Sequence, residues 1–415
     1  MVLPVRHFRI DSHRVAVESA FAEHLRMMRS RIDTAADLLV IASPSMSTTG
    51  YEKSKAGLTI LDETEDQIAF VTLFSDDTTR STADYLRAFF PVMRTLYRLA
   101  RQSICIHSGL SWNISLPYEF ASIVFGLLFH LKTVFVVDID YRKSALMSYR
   151  TANWSKKSYL VCKYFYDPVR ALQIWIAVRG CSLVLLKGKK MTEDFGQGRP
   201  NVRNFLDASH SQQNLIDQQA LEQKLVAVRD ISQPLRLVYF GRLTAYKGIS
   251  CCLRSVAAAR NAGANITFDI IGGGEQAEAL QSLSRELHAE SYVTFHGPKT
   301  FNQEFFQTLY PFHLLLAAPL REDTPRNALD AMAAGIPYLA FDTYYYQQLT
   351  ESGAGEVVPW LDEQAMAQSL IRLSKHREEL AAMIGKAVDY AKLNTQEIWL
   401  ERRFEWTMGS VLNLP

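Results

Sequence analysis

Glu322 and Asp330 flank a polar stretch, Asp323-Thr324-Pro325-Arg326-Asn327, inside REDTPRNALDAMAAGIP (321–337). The spacing predicts a short helix over 325–334. Thr324 is the expected N-cap, with its hydroxyl accepting from the first turn. Pro325 takes the first helical position, where its missing N–H costs nothing. Gly335 suits a left-handed cap, and Pro337 forbids continuation. Leu329, Met332 and Ala333 share one face and are expected in the core, while Asn327, Asp330 and Ala334 share another. The unpaired N–H groups of a first turn favour an anion. A capped surface helix with solvated charges would account for the same letters.

Two other stretches could serve an anion. In FGRLTAYKGIS (240–250), Gly241 closes an apolar run, Arg242 and Lys247 follow, and Gly248 opens a helical pattern. Arg offers a planar fork and Lys a point charge, a pair suited to a diphosphate. In IIGGGEQAEAL (270–280), Gly272, Gly273 and Gly274 let backbone approach a ligand. The dinucleotide fingerprint is not met, because its spacing and its later acidic residue are missing. A solvated basic loop and a tight turn remain the plain alternatives.

Elements that would hold these loops alternate along the chain. Apolar runs at 36–42, 67–73, 103–107, 132–137 and 182–186 read as strands, with helices expected at 13–31, 80–101, 117–130 and 168–179. The rhythm restarts with strands at 235–240, 266–271, 292–296, 313–318 and 338–341. Such alternation predicts parallel α/β sheets, with ligands beyond the strands' carboxyl ends. The expected organisation is a front Rossmann-like domain (1–195), a linker (196–232), a back Rossmann-like domain (233–394) and a terminal helix (395–415) crossing back to the front. The two doubly wound domains would face each other across a cleft.

The three junctions recur in an order that resembles the donor domain of family-4 retaining glycosyltransferases of GT-B fold (glycosyl transferases group 1). That family's E-x7-E motif is matched by Glu322 and Asp330, and AMAAGIP, GRL…KG and YVTFHG match its continuation. The resemblance covers roughly 235–345. It implies that Arg242 and Lys247, beside Gly241 and Gly273, hold the diphosphate of a UDP- or GDP-sugar. Glu322 would bind the sugar, Asp330 the ribose, and the backbone near Arg326 and Asn327 the sugar or phosphate. It also implies retention of configuration and no metal or other cofactor. Two departures stand out: Asp330 is one methylene shorter than Glu, and Asp323-Thr324-Pro325 replaces a Gly-Phe-Gly run. By the same resemblance, His107 is expected at a strand end near the donor sugar with a catalytic role. Asp138 and Asp140 end another strand as acceptor candidates.

Composition bounds the rest. With 48% hydrophobic and 21% charged residues, the chain is globular. Its five cysteines form no C-x-x-C pair, so neither zinc nor disulfides are expected, and a cytoplasmic setting is. No run reaches the roughly 20 apolar residues of a spanning helix. Residues 1–199 carry 26 Lys and Arg against 19 Asp and Glu; the remainder carries 19 against 24. This mild basic bias argues against nucleic acid. Arg87, Arg94, Arg98 and Arg101 interleave with aromatics over 85–101, so peripheral contact with an anionic membrane is expected if the acceptor is lipid-linked. The expected function is sugar transfer to a glycan or lipid-linked acceptor in bacterial polysaccharide, lipopolysaccharide or other glycoconjugate synthesis. The alternatives are a non-catalytic sugar-nucleotide binder and a glycosidase using Glu322 and Asp330.

Overall fold

The computed structural model describes residues 1–32 and 38–411. Positions 36 and 37 of the first expected strand and 412–415 of the terminal helix lie outside the described residues.

The front half contains β1 (Phe8–Arg9), β2 (Arg14–Glu18), β3 (Leu39–Ser45), β4 (Leu58–Asp62), β5 (Ile68–Ser75), β6 (Cys105–Gly109), β7 (Lys132–Val137), β8 (Leu183–Lys187) and β9 (Val202–Phe205). Strands β6-β7-β8-β9 form a parallel sheet, and β3-β5 a parallel pair. The first residues of the chain join the two. Val2 bridges to Ala42, and its N–H donates to the His107 carbonyl of β6 at 2.9 Å. A small antiparallel sheet, β1-β2-β4, sits apart.

The back half contains β10 (Leu235–Phe240), β11 (Ile266–Ile271), β12 (Val293–Gly297), β13 (Leu314–Ala317), β14 (Tyr338–Phe341) and β15 (Gly355–Val358). They form one parallel sheet in the order β12-β11-β10-β13-β14-β15. Its inner strands are buried on both faces, which is why they read as continuous apolar runs. Leu237, Tyr239 and Ile270 pack on one side, Val238, Phe240 and Leu315 on the other.

Three expectations need correction. The stretch 13–31 begins as a strand, β2, and becomes helical only at Ser19–Arg31; Val15, Ala16 and Val17 are buried in succession because β2 is the central strand, paired with β1 on one side and β4 on the other. The polar stretch SPSMSTTGYEKSKAG (43–57), which reads from its sequence as a long loop able to shape an acceptor pocket, is not an open loop. It holds the end of β3 and a helix, Thr48–Ser54, capped by the Ser47 hydroxyl accepting from the Gly50 N–H at 3.0 Å. Within 196–232, β9 adds a fourth strand to the front sheet, and helix Gln218–Arg229 packs on helix Arg377–Lys392.

Helix Gln396–Val411 lies on β7 and β8. Trp399 and Trp406 cover Val134, Leu183, Leu185 and Phe205, and the Trp399 indole N–H donates to Asn394 Oδ1 at 3.0 Å. Trp399→Ala should therefore cost about 3 kcal/mol, the low end for truncating a packed aromatic. Hydrogen exchange should show residues 396–411 opening before the back sheet, and uniform protection would contradict this anchoring.

Candidate active site

The loops after β10 and β11 are held too close for side chains. A Cβ on Gly272 would lie 1.9 Å from the Gly241 carbonyl oxygen, and one on Gly248 would lie 1.8 Å from that of Ala318. The expected ligand-approach residue, Gly273, is less constrained: its Cβ would meet only Pro298, at 3.5 Å. The need for glycine thus falls on its neighbours, while the Gly273 carbonyl accepts from the Leu243 N–H at 2.9 Å.

Lys247 and Asp323 form a half-buried ion pair in a small cavity shared with Tyr239, Asn327 and Tyr346. Asp323 was no candidate in the sequence, yet it is the partner of the cation expected to meet the ligand. Arg242 is exposed on the same loop. The Tyr239 hydroxyl donates to the Arg242 carbonyl at 3.0 Å and so fixes that loop against β10.

Helix Arg326–Ala333 is buried more deeply than a two-faced pattern suggests; Ala328 through Ala333 are all inside. Thr324 is not its cap. Pro325 occupies that position, no side chain caps the end, and the Arg326 N–H turns back to the Thr324 carbonyl at 2.9 Å. The Pro325 ring crowds the residue before it and keeps Thr324 out of the helical region. Gly335 is left-handed, φ +65°, as the spacing predicts. Asn327 Nδ2 reaches the Phe240 carbonyl at 3.4 Å, tying the helix mouth to β10. Arg326 lies 4.0 Å from Asp207 of the crossing segment.

Glu322 is 2% exposed. Its Oε1 accepts from the Tyr344 N–H at 3.1 Å, while Oε2 is buried with no partner among the described residues. Burial, reinforced by repulsion from Asp140 and Asp342, lifts its pKa to about 7 against the Tyr344 N–H and Lys143. A buried, unpartnered carboxylate oxygen is costly and calls for a donor group from outside.

Asp330 is also buried, but its Oδ1 is taken. It accepts from the Ser209 N–H at 2.9 Å, the His210 N–H at 2.8 Å and His210 Nδ1 at 3.2 Å. The glycosidase alternative needs two carboxylates facing one bond, and this arrangement does not supply that: Glu322 and Asp330 look to different partners.

The front candidates separate likewise. Asp140 is buried in a forked pair with Arg142, Nε to Oδ1 at 2.9 Å and Nη2 to Oδ2 at 2.5 Å. Asp138 is 68% exposed at its side chain, 3.7 Å from Lys187 Nζ. Only Asp138 is open to an acceptor. His107 is not at a strand end, because β6 runs on to Gly109. It lines an apolar cavity with His24, Met28, Arg403 and Phe404, beneath helices Ser19–Arg31 and Gln396–Val411. Burial, with help from Arg403, holds its pKa down to about 3. This placement removes the ground for a catalytic role. Tyr345 was missed. Its hydroxyl accepts from the Asp140 N–H at 2.7 Å and donates to the Lys187 carbonyl at 3.2 Å, joining back to front. Nothing in the run Tyr344-Tyr345-Tyr346 singles it out.

The whole chain superposes on HepE of Anabaena bound to UDP, with a TM-score of 0.63 over 99% of both chains at 12% identity. The fold is GT-B. In sequence, residues 234–376 match the family described as glycosyl transferases group 1. A stretch of 173 residues is 27% identical to the amylovoran biosynthesis glycosyltransferase AmsK of Erwinia amylovora, covering 40% of this chain and 42% of AmsK. Another, of 163 residues, is 26% identical to the GtfA subunit of the UDP-N-acetylglucosamine–peptide N-acetylglucosaminyltransferase of Streptococcus parasanguinis, covering 35% and 32%. The chain spans less than half the length of these relatives.

Glu322 gives the GT-B cleft a pH signature. Its pKa rises from 4.5 to about 7 on folding, so its ionisation opposes folding. The penalty is absent below pH 4.5, grows through that interval and is complete above pH 7. At full ionisation it is on the order of 3 kcal/mol. Glu322→Gln should then raise the thermal midpoint of the ligand-free protein at pH 8 and leave it nearly unchanged at pH 4. A variant equally or less stable at pH 8 would show that the carboxylate is already satisfied.

Proposed function

We propose that the protein is a glycosyltransferase that moves a sugar from a nucleoside-diphosphate donor to an acceptor hydroxyl with retention of configuration. The observation that carries this reading is the unpartnered Glu322 Oε2, buried beside the helix mouth and the Lys247 loop. A sugar hydroxyl donating to it would meet the missing hydrogen bond. The UDP bound to HepE and the UDP-sugar named for the GtfA enzyme support a UDP-linked donor, with a GDP-sugar the other candidate. AmsK supports a place in polysaccharide or related glycoconjugate synthesis.

In this mechanism Arg242, Lys247 and the first turn of helix Arg326–Ala333 bind the diphosphate and neutralise the charge that grows as it leaves. Lys247 must first give up Asp323, so the diphosphate replaces one anion by another. Departure of the nucleotide leaves an oxocarbenium-like centre. An oxygen of the leaving phosphate takes the acceptor's proton on the same face while the acceptor oxygen bonds to the anomeric carbon. No protein nucleophile is required. Asp138 is the front-side group placed to orient an acceptor hydroxyl. Asp330 would reach the ribose only through Oδ2, since Oδ1 holds the crossing segment.

Arg242→Ala and Lys247→Ala should each lower kcat/KM with the accepted donor by about 1.5–3 kcal/mol, the scale of a charge-assisted hydrogen bond. Asp323→Asn should do the opposite to free UDP, tightening it several-fold in calorimetry, because Lys247 no longer has a competing anion. Wild-type kinetics in both cation variants would sink the assignment. UDP affinity unchanged by Asp323→Asn would remove the exchange step while leaving the cations in place.

A further inference from the structure

One long helical run in the front half is apolar on both sides. Residues Lys156–Val161, a wider π-type turn at Cys162–Tyr166, and Asp167–Gly180 follow one another without a break. Gln173, Ile174, Ala177 and Val178 face the front core. The opposite side carries Val161, Phe165, Pro168, Leu172 and Trp175 at alternating steps of four and three, so they form one stripe. Nothing among the described residues covers it: Phe165 is 57% exposed, Leu172 55% and Trp175 51%, and Tyr164 beside them is 69% exposed. Scattered exposed apolar residues are ordinary, but a contiguous stripe marks a contact surface.

The exposed charges of the run share one sign. Between Lys156 and Gly180 the basic residues are Lys156, Lys157, Lys163, Arg170 and Arg179, and the one acidic residue, Asp167, is largely buried and paired with Arg170 at 2.9 Å. Lys156, Lys157 and Lys163 are exposed. Lys163 Nζ lies 5.2 Å from the Tyr164 ring centroid, and the Arg179 guanidinium 4.0 Å from that of Trp175. Aromatic bodies with cations at their edges suit the boundary between headgroups and acyl chains. Helix Thr82–Arg101, expected from its sequence to be the membrane face, is different. Phe89, Met93 and Leu96 turn into the core, and only its outer side, with Phe90 and Tyr97, is exposed. Helix Tyr118–Leu128 packs between these two, so all three belong to one layer.

We propose that the outer face of the Lys156–Gly180 run docks on an anionic lipid bilayer, the apolar stripe entering the headgroup boundary and Lys156, Lys157 and Lys163 meeting lipid phosphates. The positive surround favours a bilayer over a second copy of this chain, whose identical face would bring like charges together. The contact lies on the surface: among the described residues no helix is long and apolar enough to cross a membrane.

The test is co-sedimentation of the full chain with vesicles of phosphatidylcholine alone and of phosphatidylcholine mixed with phosphatidylglycerol. Binding is expected to the mixed vesicles only, and to weaken as salt shortens the Debye length. Each cation near an anionic surface is worth about five-fold in partitioning. Lys156→Gln, Lys157→Gln and Lys163→Gln together should therefore reduce binding by roughly 100-fold. Phe165→Ser with Trp175→Ser should abolish it. Both sets lie on the surface and should leave the thermal midpoint in place; the lysine set alters no packed group and keeps the test valid should the other misfold. Absence of binding to mixed vesicles at low salt, or binding indifferent to the lysine set, would overturn the proposal. So would self-association that Phe165→Ser abolishes in a protein that ignores vesicles, which would assign the face to a second copy.

Discussion

A buried carboxylate must find its hydrogen-bond partners within the protein, and Asp330 finds them on a different part of the chain. Its Oδ1 holds the N–H groups of Ser209 and His210 and the His210 ring, whose Nε2 lies 3.1 Å from the Ala391 carbonyl. The His210 carbonyl accepts from the Gln396 N–H at 2.9 Å. One point thus joins helix Arg326–Ala333, the segment leading from front to back, and the segment leading back again. A charge in such a place is tolerable only with every partner present. Lys224 supports the other end of the same helix: its buried Nζ donates to the Ala334 carbonyl at 2.6 Å. Position and tilt of this helix are therefore set by polar contacts to the crossing chain as well as by the apolar core.

Across the cleft a second contact sets the distance between the halves. Tyr345 reaches from the start of helix Tyr344–Leu349 to the ends of β7 and β8. Gly188, at φ +105°, makes room for its ring; a Cβ there would lie 3.0 Å from it. The same turn places the Tyr344 N–H on Glu322 and the Tyr344 ring under Lys143 Nζ, 3.6 Å from the centroid. Glu322 thus lies at the meeting of both halves.

Much of this was legible in the sequence, for identifiable reasons. Strands buried on both faces announce themselves, so β7, β10, β11 and β14 were read to the residue. The glycines and cations of the loops after β10 and β11 stood out because few other residues serve close backbone approach or phosphate charge. Short edge strands were not legible. β1, β4, β9 and β15 are brief, and their existence depends on partners far along the chain. Residue roles failed where they depended on direction. His107 has the expected type, but alternation along β6 turns it to the face under the terminal helix. Asp140 has the expected position, but Arg142 two residues on neutralises it. Asp323 and Tyr345 gave no signal, because a partner across the fold defines each.

The chain passes between the halves twice, at His210 and at Gln396, and the second passage carries helix Gln396–Val411 onto β7 and β8. The two halves are consequently braided rather than strung in series. A protease cutting in the exposed turn at Gln212 and Gln213 would yield two pieces, neither a finished folding unit. The first would lack the cover of its own sheet, and the second would carry that cover with nothing beneath it. Such pieces should remain together after cleavage and be able to reassemble from separate chains, so the turn is a natural place to split the gene.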